Sequence, residues 1–145
     1  MGIYIEYFAA TTEQAVACTT QEPVGGGLAS VALKFVDPAV LLGQLWAHAD
    51  GTEYDLDASV ARYAHVAPVA ETDEYSVIQV DQQCAVALAA IADEQILPIA
   101  QRWADSEYWL GPEDPAGLAI DVRALRSVAS TALDAGHHMY ARVPR

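Results

Sequence analysis

Short strand-like runs alternate with longer runs of helical periodicity along this chain, and this alternation limits the folds open to it. Four runs have the period-two pattern or the β-branched and aromatic content of a strand, namely residues 3–10, 28–36, 74–80 and 137–143. Apolar residues at helical spacing fill much of the sequence between these runs. A fold that contains both a sheet and helices is therefore predicted.

The helix after the second strand-like run has a complete start signal. Asp37 can cap its N-terminus, and Pro38 suits the first helical position, where a proline loses no hydrogen bond. Apolar residues then recur at helical spacing at Leu41, Leu42, Leu45 and Trp46. The pattern predicts a helix over residues 38–49.

Two further strand-like runs are followed by helix caps. Thr11 or Thr12 can cap a short helix that runs to about Thr20. Asp81 can cap a helix that continues through Ile91. Both segments thus repeat the order of strand, cap and helix.

The rest of the chain is less regular. Pro98 is expected to separate or kink a second helical stretch that ends near Trp103. A last helix is predicted over residues 121–136, with Gly136 as its C-cap. Residues 59–74 fit either a short helix or an irregular edge strand.

A chain of 145 residues has the usual size of one domain, and 53% of these residues are hydrophobic. Strands and helices alternate regularly only as far as residue 81, so a doubly wound sheet is not expected. We predict a single α+β domain over residues 1–145. It should contain a mixed sheet of about four strands and four to five helices.

The layout of these segments resembles the YfbM-like family, whose function is uncharacterised. The resemblance lies in the runs "MGIYIEYF", "VDPAVLLGQLWAHADG", "YSVIQVDQQCAVALAAIA" and "LRSVASTALDAGHHMYARV", taken in that order along most of the chain. It implies a small α+β domain. It transfers no catalytic residues to this sequence.

The chain is strongly acidic. Its 20 Asp and Glu residues outnumber one lysine and six arginines, which gives a net charge of −13. Such a charge repels nucleic acid and attracts a basic protein or a cationic ligand, although acidity is also a common route to solubility. No apolar run approaches the roughly 20 residues that cross a bilayer, and no signal-peptide pattern is present, so we expect no membrane association and a cytoplasmic location.

Residues that could carry chemistry do not form a recognisable motif. Cys18 and Cys84 lie in helical patterns, which favours reduced thiols packed in the core over a disulfide or a reactive thiolate. His137 and His138 are adjacent in a strand-like run, so their side chains should point to opposite faces and not share a metal ion. We predict neither a metal site nor a cofactor.

Other candidate motifs also fail on spacing. The acidic turn over residues 49–57 places its glycine directly after the first acid, unlike a calcium-binding loop. The glycine run over residues 24–30 lacks the Lys-Ser/Thr ending of a phosphate loop, and no serine occupies a nucleophile elbow. The sequence therefore does not support a catalytic function, although it does not exclude one.

The segment "DSEYWLGPEDPAG", residues 105–117, places aromatic residues between acids. Tyr108 and Trp109 could be anchors for a partner, since both residue types are common at interfaces. They could also fold back onto the core, which is the usual role of aromatics beside a loop rich in Pro and Gly. If a surface feature carries the function, Glu107, Tyr108 and Trp109 are the first candidates for the binding site.

The leading hypothesis is a non-catalytic interaction protein that binds a basic protein through an acidic, aromatic surface. An immunity-type or antitoxin-like inhibitor is one version of it. The alternative is a small-molecule-binding domain or small enzyme whose site assembles only in three dimensions, with Cys84, His137 or His138 near an acid. A homo-oligomer is a third hypothesis, with Tyr4 or Tyr140 on edge strands that pair between copies.

Overall fold

The computed structural model describes residues 3–145, which form five strands and six helices. The strands are β1 (Tyr4–Ala10), β2 (Ser30–Lys34), β3 (Ala70–Glu71), β4 (Tyr75–Gln79) and β5 (His138–Pro144). The helices are α1 (Thr12–Ala17), α2 (Leu41–Asp50), α3 (Leu56–Ala64), α4 (Gln82–Ala89), α5 (Asp93–Ala104) and α6 (Pro115–Asp134). The predicted α+β class is confirmed, with more strands and helices than expected.

The five strands form one open sheet in the order β2-β1-β5-β4-β3. Every neighbouring pair of described strands is antiparallel, so the prediction of a mixed sheet is wrong. The first and last strands of the chain pair at the centre of the sheet, and β2 and β4 each run opposite to one of them. Residues 59–74, for which a short helix or an irregular edge strand was predicted, contain parts of both, since α3 ends at Ala64 and the two-residue edge strand β3 follows at Ala70–Glu71.

The expected positions of two tyrosines are also wrong. Tyr4 lies on β1 and Tyr140 on β5, and each of these strands is paired on both sides. The edges of the sheet are β2 and β3. Pairing between copies through either tyrosine's strand would require the sheet to open.

Alternation along the strands divides the apolar residues between two cores. Ile5, Tyr7 and Ala9 of β1 face the larger core, which helices α2, α4, α5 and α6 complete. Phe8 and Ala10 face a smaller core on the opposite side of the sheet, together with Ala15, Cys18, Val77 and Tyr140. Helix α6 packs across β1, β2 and β5, so it covers the centre and the β2 end of the sheet.

Helix α2 begins at Leu41 rather than at the predicted Pro38. Residues 38–40 form a turn, and the Asp37 carboxylate accepts hydrogen bonds from the backbone N–H groups of Val40 and Leu41. Asp37 therefore satisfies orphan donors at the helix start, as expected of a cap, although the helix starts later along the chain.

Pro98 was predicted to separate or kink a helical stretch, but helix α5 continues through this position without a break. Pro98 lies inside α5 at an exposed position, where water can replace the hydrogen bond that the proline removes. The break between α4 and α5 falls at residues 90–92 instead, where the Ala92 N–H donates to the Gln95 side chain. The last helix likewise starts at Pro115, capped by Asp114, rather than at residue 121.

The side of the sheet that faces the smaller core contains a buried ion pair. Arg142 of β5 is only 4% exposed, and its guanidinium donates to the Glu6 carboxylate at 2.6 Å. The same guanidinium donates to the carbonyl of Cys18 at 2.6 Å and stacks on the Tyr75 ring at 3.5 Å. Since Glu6 and Arg142 are opposite each other in the β1–β5 register, the pair links the two central strands.

The Glu6→Ala variant should be strongly destabilised. Removing the carboxylate leaves the Arg142 guanidinium buried without its charge partner, which should lower the free energy of unfolding by about 3 kcal/mol. Urea denaturation followed by circular dichroism measures this loss.

Two variants test the cause of that loss. Glu13→Ala, which truncates an exposed acid in α1, should cost less than about 1 kcal/mol. A double variant, Glu6→Leu with Arg142→Met, should recover most of the stability because it removes both charges. Equal losses in Glu6→Ala and Glu13→Ala would contradict a role for the buried pair.

Candidate functional site

The segment that contains the predicted binding residues connects α5 to α6. Helix α5 ends at Ala104, and Asp114 begins the next helix by accepting a hydrogen bond from the Ala116 N–H. Pro115 occupies the first helical position, where its fixed φ suits a helix. Residues 105–114 thus form a loop held between two helix ends.

Trp109 folds back from this loop onto the larger core. Its ring lies edge-to-face on Trp103 with 5.1 Å between ring centroids, and its Nε1 donates to the Trp103 carbonyl at 2.7 Å. Trp103 is fully buried, and its own Nε1 donates to the Leu41 carbonyl at 2.9 Å. The half-buried Trp109 side chain is therefore fixed by both packing and a hydrogen bond.

The other two predicted residues have different surroundings. Tyr108 is half-buried and packs edge-to-face on Tyr54, with 6.1 Å between ring centroids. Glu107 is exposed. The structure thus shows core packing for Tyr108 and Trp109, which both stay partly exposed, whereas Glu107 forms no ion pair or side-chain hydrogen bond with a described residue.

Two apolar residues that were not proposed from the sequence lie beside Trp109. Phe35 and Leu110 line a hollow with Trp109, Gly111, Lys34 and Glu113. Leu110 is 79% exposed, the most exposed large hydrophobic side chain in the described part of the chain. Phe35 has a φ of 62°, a conformation that costs energy for a residue with a bulky side chain.

We refer to Phe35, Tyr54, Tyr108, Trp109 and Leu110 together as the aromatic surface. The members come from three separate segments of the chain, which explains why a reading of local motifs does not assemble them. Leu110 was detectable in principle, since it directly follows the Tyr-Trp pair in a polar loop. Phe35 and Tyr54 carry no such signal.

A cleft between α2 and α3 continues from Tyr54. It has a volume of about 220 Å³, and its lining includes Trp46, Tyr54, Asp50, Glu53 and Asp55. At one end the Arg62 guanidinium lies over the Trp46 ring, 4.5 Å from its centroid. The cleft therefore combines aromatic rings with carboxylates, and one ring already holds a cation of the protein itself.

Several acids lie around the aromatic surface and the cleft, while Lys34 lines the hollow and Arg62 lines the cleft. The ion pairs between described residues use Glu6, Glu71, Asp81 and Asp93, and none uses an acid of this region. Burial raises the pKa of Asp121 in α6, and the Glu113 carboxylate raises it further. Burial is also the main cause of the raised pKa of Tyr54, which stays neutral and donates to the Ala39 carbonyl at 2.7 Å.

The residues considered for chemistry are not brought together into a reactive site. Cys84 is buried in the larger core, and burial raises the pKa of its thiol well above the ordinary value. The His138 Nδ1 lies within hydrogen-bond distance of Gln79 Nε2 at 3.3 Å and of Gln82 Oε1 at 3.2 Å. Across residues 3–145, no three His, Cys, Asp or Glu side chains are grouped so that they could hold a metal ion.

Comparison with known proteins gives no relative. No family model matches the chain, and neither a curated protein nor a solved structure is significantly similar to it. The resemblance to the YfbM-like family therefore remains a prediction. In residues 3–145 no helix combines the length and the apolar character required to span a membrane.

Substitutions in the loop should distinguish Trp109, which packs on the core, from Leu110, which is exposed. Trp109→Phe keeps a ring but loses the hydrogen bond to Trp103, so it should lower the free energy of unfolding by about 1 kcal/mol. Trp109→Ala also loses the ring contacts and should cost about 3 kcal/mol. Thermal and urea unfolding measure both changes.

Leu110→Ala is the control, since a side chain that is 79% exposed should change stability by less than about 0.5 kcal/mol. A loss in Leu110→Ala as large as that in Trp109→Ala would show that Leu110 is buried in solution.

Proposed function

We propose that this protein is a non-catalytic binding domain that recognises a basic protein through the aromatic surface. One observation carries the proposal: Leu110 is 79% exposed beside aromatic rings that the core already fixes in place. Aromatic residues held in one conformation lose little entropy on binding, which suits them as anchors at an interface. A cytoplasmic immunity-type or antitoxin-like inhibitor is one version of this function.

The charge around the aromatic surface supports a basic partner. Glu107 is exposed in the same loop, Glu113 lines the hollow beside Leu110, and Glu53 and Asp55 line the cleft beside Tyr54. With a net charge of −13, the chain would accelerate association with a basic protein and repel an acidic one. The same field argues against nucleic acid as the partner.

The contact between Arg62 and Trp46 indicates what kind of side chain the cleft accepts. A guanidinium lies on the ring face at 4.5 Å, in the arrangement that a partner's arginine could adopt on a neighbouring ring. Arginine and the aromatic residues are both enriched among the energetically dominant residues of interfaces. Arginine side chains of a basic partner would therefore suit the other aromatic rings of this region, since the Trp46 ring is already covered by Arg62.

A small-molecule function has weaker support from the same geometry. The cleft volume of about 220 Å³ is below the roughly 300–1,000 Å³ typical of ligand pockets. Two hydroxyl groups of its lining are also already engaged, because Tyr54 and Ser59 both donate hydrogen bonds to the Ala39 carbonyl. Membership of the YfbM-like family is compatible with either function and is proposed here from the sequence layout alone.

The proposed function is tested by affinity capture from the host with wild-type protein and a Leu110→Ser variant. The expected result is a stoichiometric basic protein that the wild type retains and Leu110→Ser loses. Leu97→Ser, at a 47% exposed leucine of α5, should retain the same partner. Each variant is checked for unchanged thermal unfolding before capture.

A second pair of variants tests the charge. Glu107→Lys should weaken the captured complex, and Glu13→Lys, an exposed acid on α1, should affect it much less. Raising the salt concentration should weaken the wild-type complex and reduce the difference between the two variants. Capture of an acidic protein, or equal binding by Leu110→Ser and Leu97→Ser, would contradict the proposal.

A further inference from the structure

The outer edge of β2 presents unpaired backbone groups. In the β1–β2 ladder, the N–H of Ala9 donates to Ala29 and the N–H of Phe35 donates to Ile3. Because hydrogen-bonded positions alternate in an antiparallel pair, the N–H and C=O groups of Ser30, Ala32 and Lys34 point away from β1. These groups form no hydrogen bond with another residue in the described chain.

The opposite edge of the sheet is different. Strand β3 has only two residues, and its Glu71 is engaged by Arg145 at 3.4 Å. A short edge that carries charge is a common protection against pairing with another chain. Strand β2 is longer, and its side chains at the outward positions are small apart from Lys34.

We propose that two copies of this chain pair through their β2 strands in antiparallel register, with Ala32 opposite Ala32 of the second copy. The pairing joins two five-stranded sheets into one continuous sheet around a two-fold axis. The pairing uses backbone groups of the sheet edge and not the side chains of the aromatic surface, although Lys34 at the end of this edge also lines the hollow beside Leu110.

The register follows from the positions of the unpaired groups. Centred on Ala32, the two-fold axis places Ser30 opposite Lys34 of the other copy, and Lys34 opposite Ser30. Every outward-facing N–H and C=O of the three residues then gains a partner. A shift by one residue would instead oppose outward-facing groups to inward-facing ones.

The side chains at this edge also permit self-association. No acid occupies the outward positions of β2, although the chain contains 20 Asp and Glu residues. The two lysines would lie about 14 Å apart, since four residues separate them along the strands, and this exceeds a Debye length of about 8 Å at physiological salt. Like charges therefore do not oppose the pairing directly.

The two-fold axis also relates the two copies of helix α6. It packs on β2, and an axis perpendicular to the sheet keeps both copies of α6 on the same side. The exposed residues of α6 are Ala116, Ile120, Arg123, Ser127, Thr131 and Asp134, and Asp121 is half-buried. Carboxylates on α6 are thus limited to Asp121 and Asp134.

A cysteine at the two-fold axis tests the proposal on the full chain. Ala32→Cys places two thiols at a Cα separation of about 5.5 Å, which a disulfide can span. The native Cys18 and Cys84 are buried and should not compete. We expect Ala32→Cys to form covalent dimers at least about tenfold faster than Ala61→Cys, a control at an exposed site of α3.

Measurements on the unmodified edge complete the test. Native mass spectrometry should detect a dimer, and the amides of Ser30, Ala32 and Lys34 should exchange slowly as the protein concentration rises. Ala32→Pro should abolish the dimer but keep the fold, because the N–H it removes points out of the sheet. Its thermal unfolding is measured to confirm the fold.

Any one of three results would overturn the pairing, in addition to a dimer that persists in folded Ala32→Pro. They are a monomer at about 100 µM, which is well above a typical dimer dissociation constant, equal cross-linking of Ala32→Cys and Ala61→Cys, and fast exchange of the three amides at every concentration. A dimer that persists in a folded Ala32→Pro protein would show that the copies associate through another surface.

Discussion

The buried indole of Trp103 is the contact on which both the helical core and the aromatic surface depend. Its Nε1 donates to the carbonyl of Leu41, which joins α5 to the start of α2. Its ring supports Trp109, and its own carbonyl accepts the Trp109 N–H. Because one residue serves the core on one side and the loop on the other, the orientation of the loop is coupled to the packing of the helices.

Charge is distributed unevenly over the molecule. Four of the six arginines are engaged with acids, and Arg142 is enclosed between the central strands. With so few cations, most carboxylates are left without a counter-charge in the described structure. Asp50, Glu53 and Asp55 line the cleft and Glu113 lines the hollow beside Leu110, whereas no acid occupies the outward positions of β2.

Sequence patterns were sufficient for most of the fold and for part of the site. Strands with clear alternation and helices with a cap were found, because these signals are local. Pro98 and Pro115 were misjudged, since a proline's effect depends on whether its position is exposed or is the first of a helix. Phe35 and Tyr54 could not be assigned to a site with Trp109, because tertiary contacts alone bring these segments together.

The backbone of Phe35 links the stability of the fold to the binding function proposed for the aromatic surface. A φ of 62° costs a bulky residue on the order of 1 kcal/mol, and a glycine would avoid that cost. This unfavourable backbone conformation occurs where the Phe35 ring lines the hollow beside Leu110. Such a trade is characteristic of surfaces shaped for a task other than folding, and a search for more stable variants would be expected to erode this surface first.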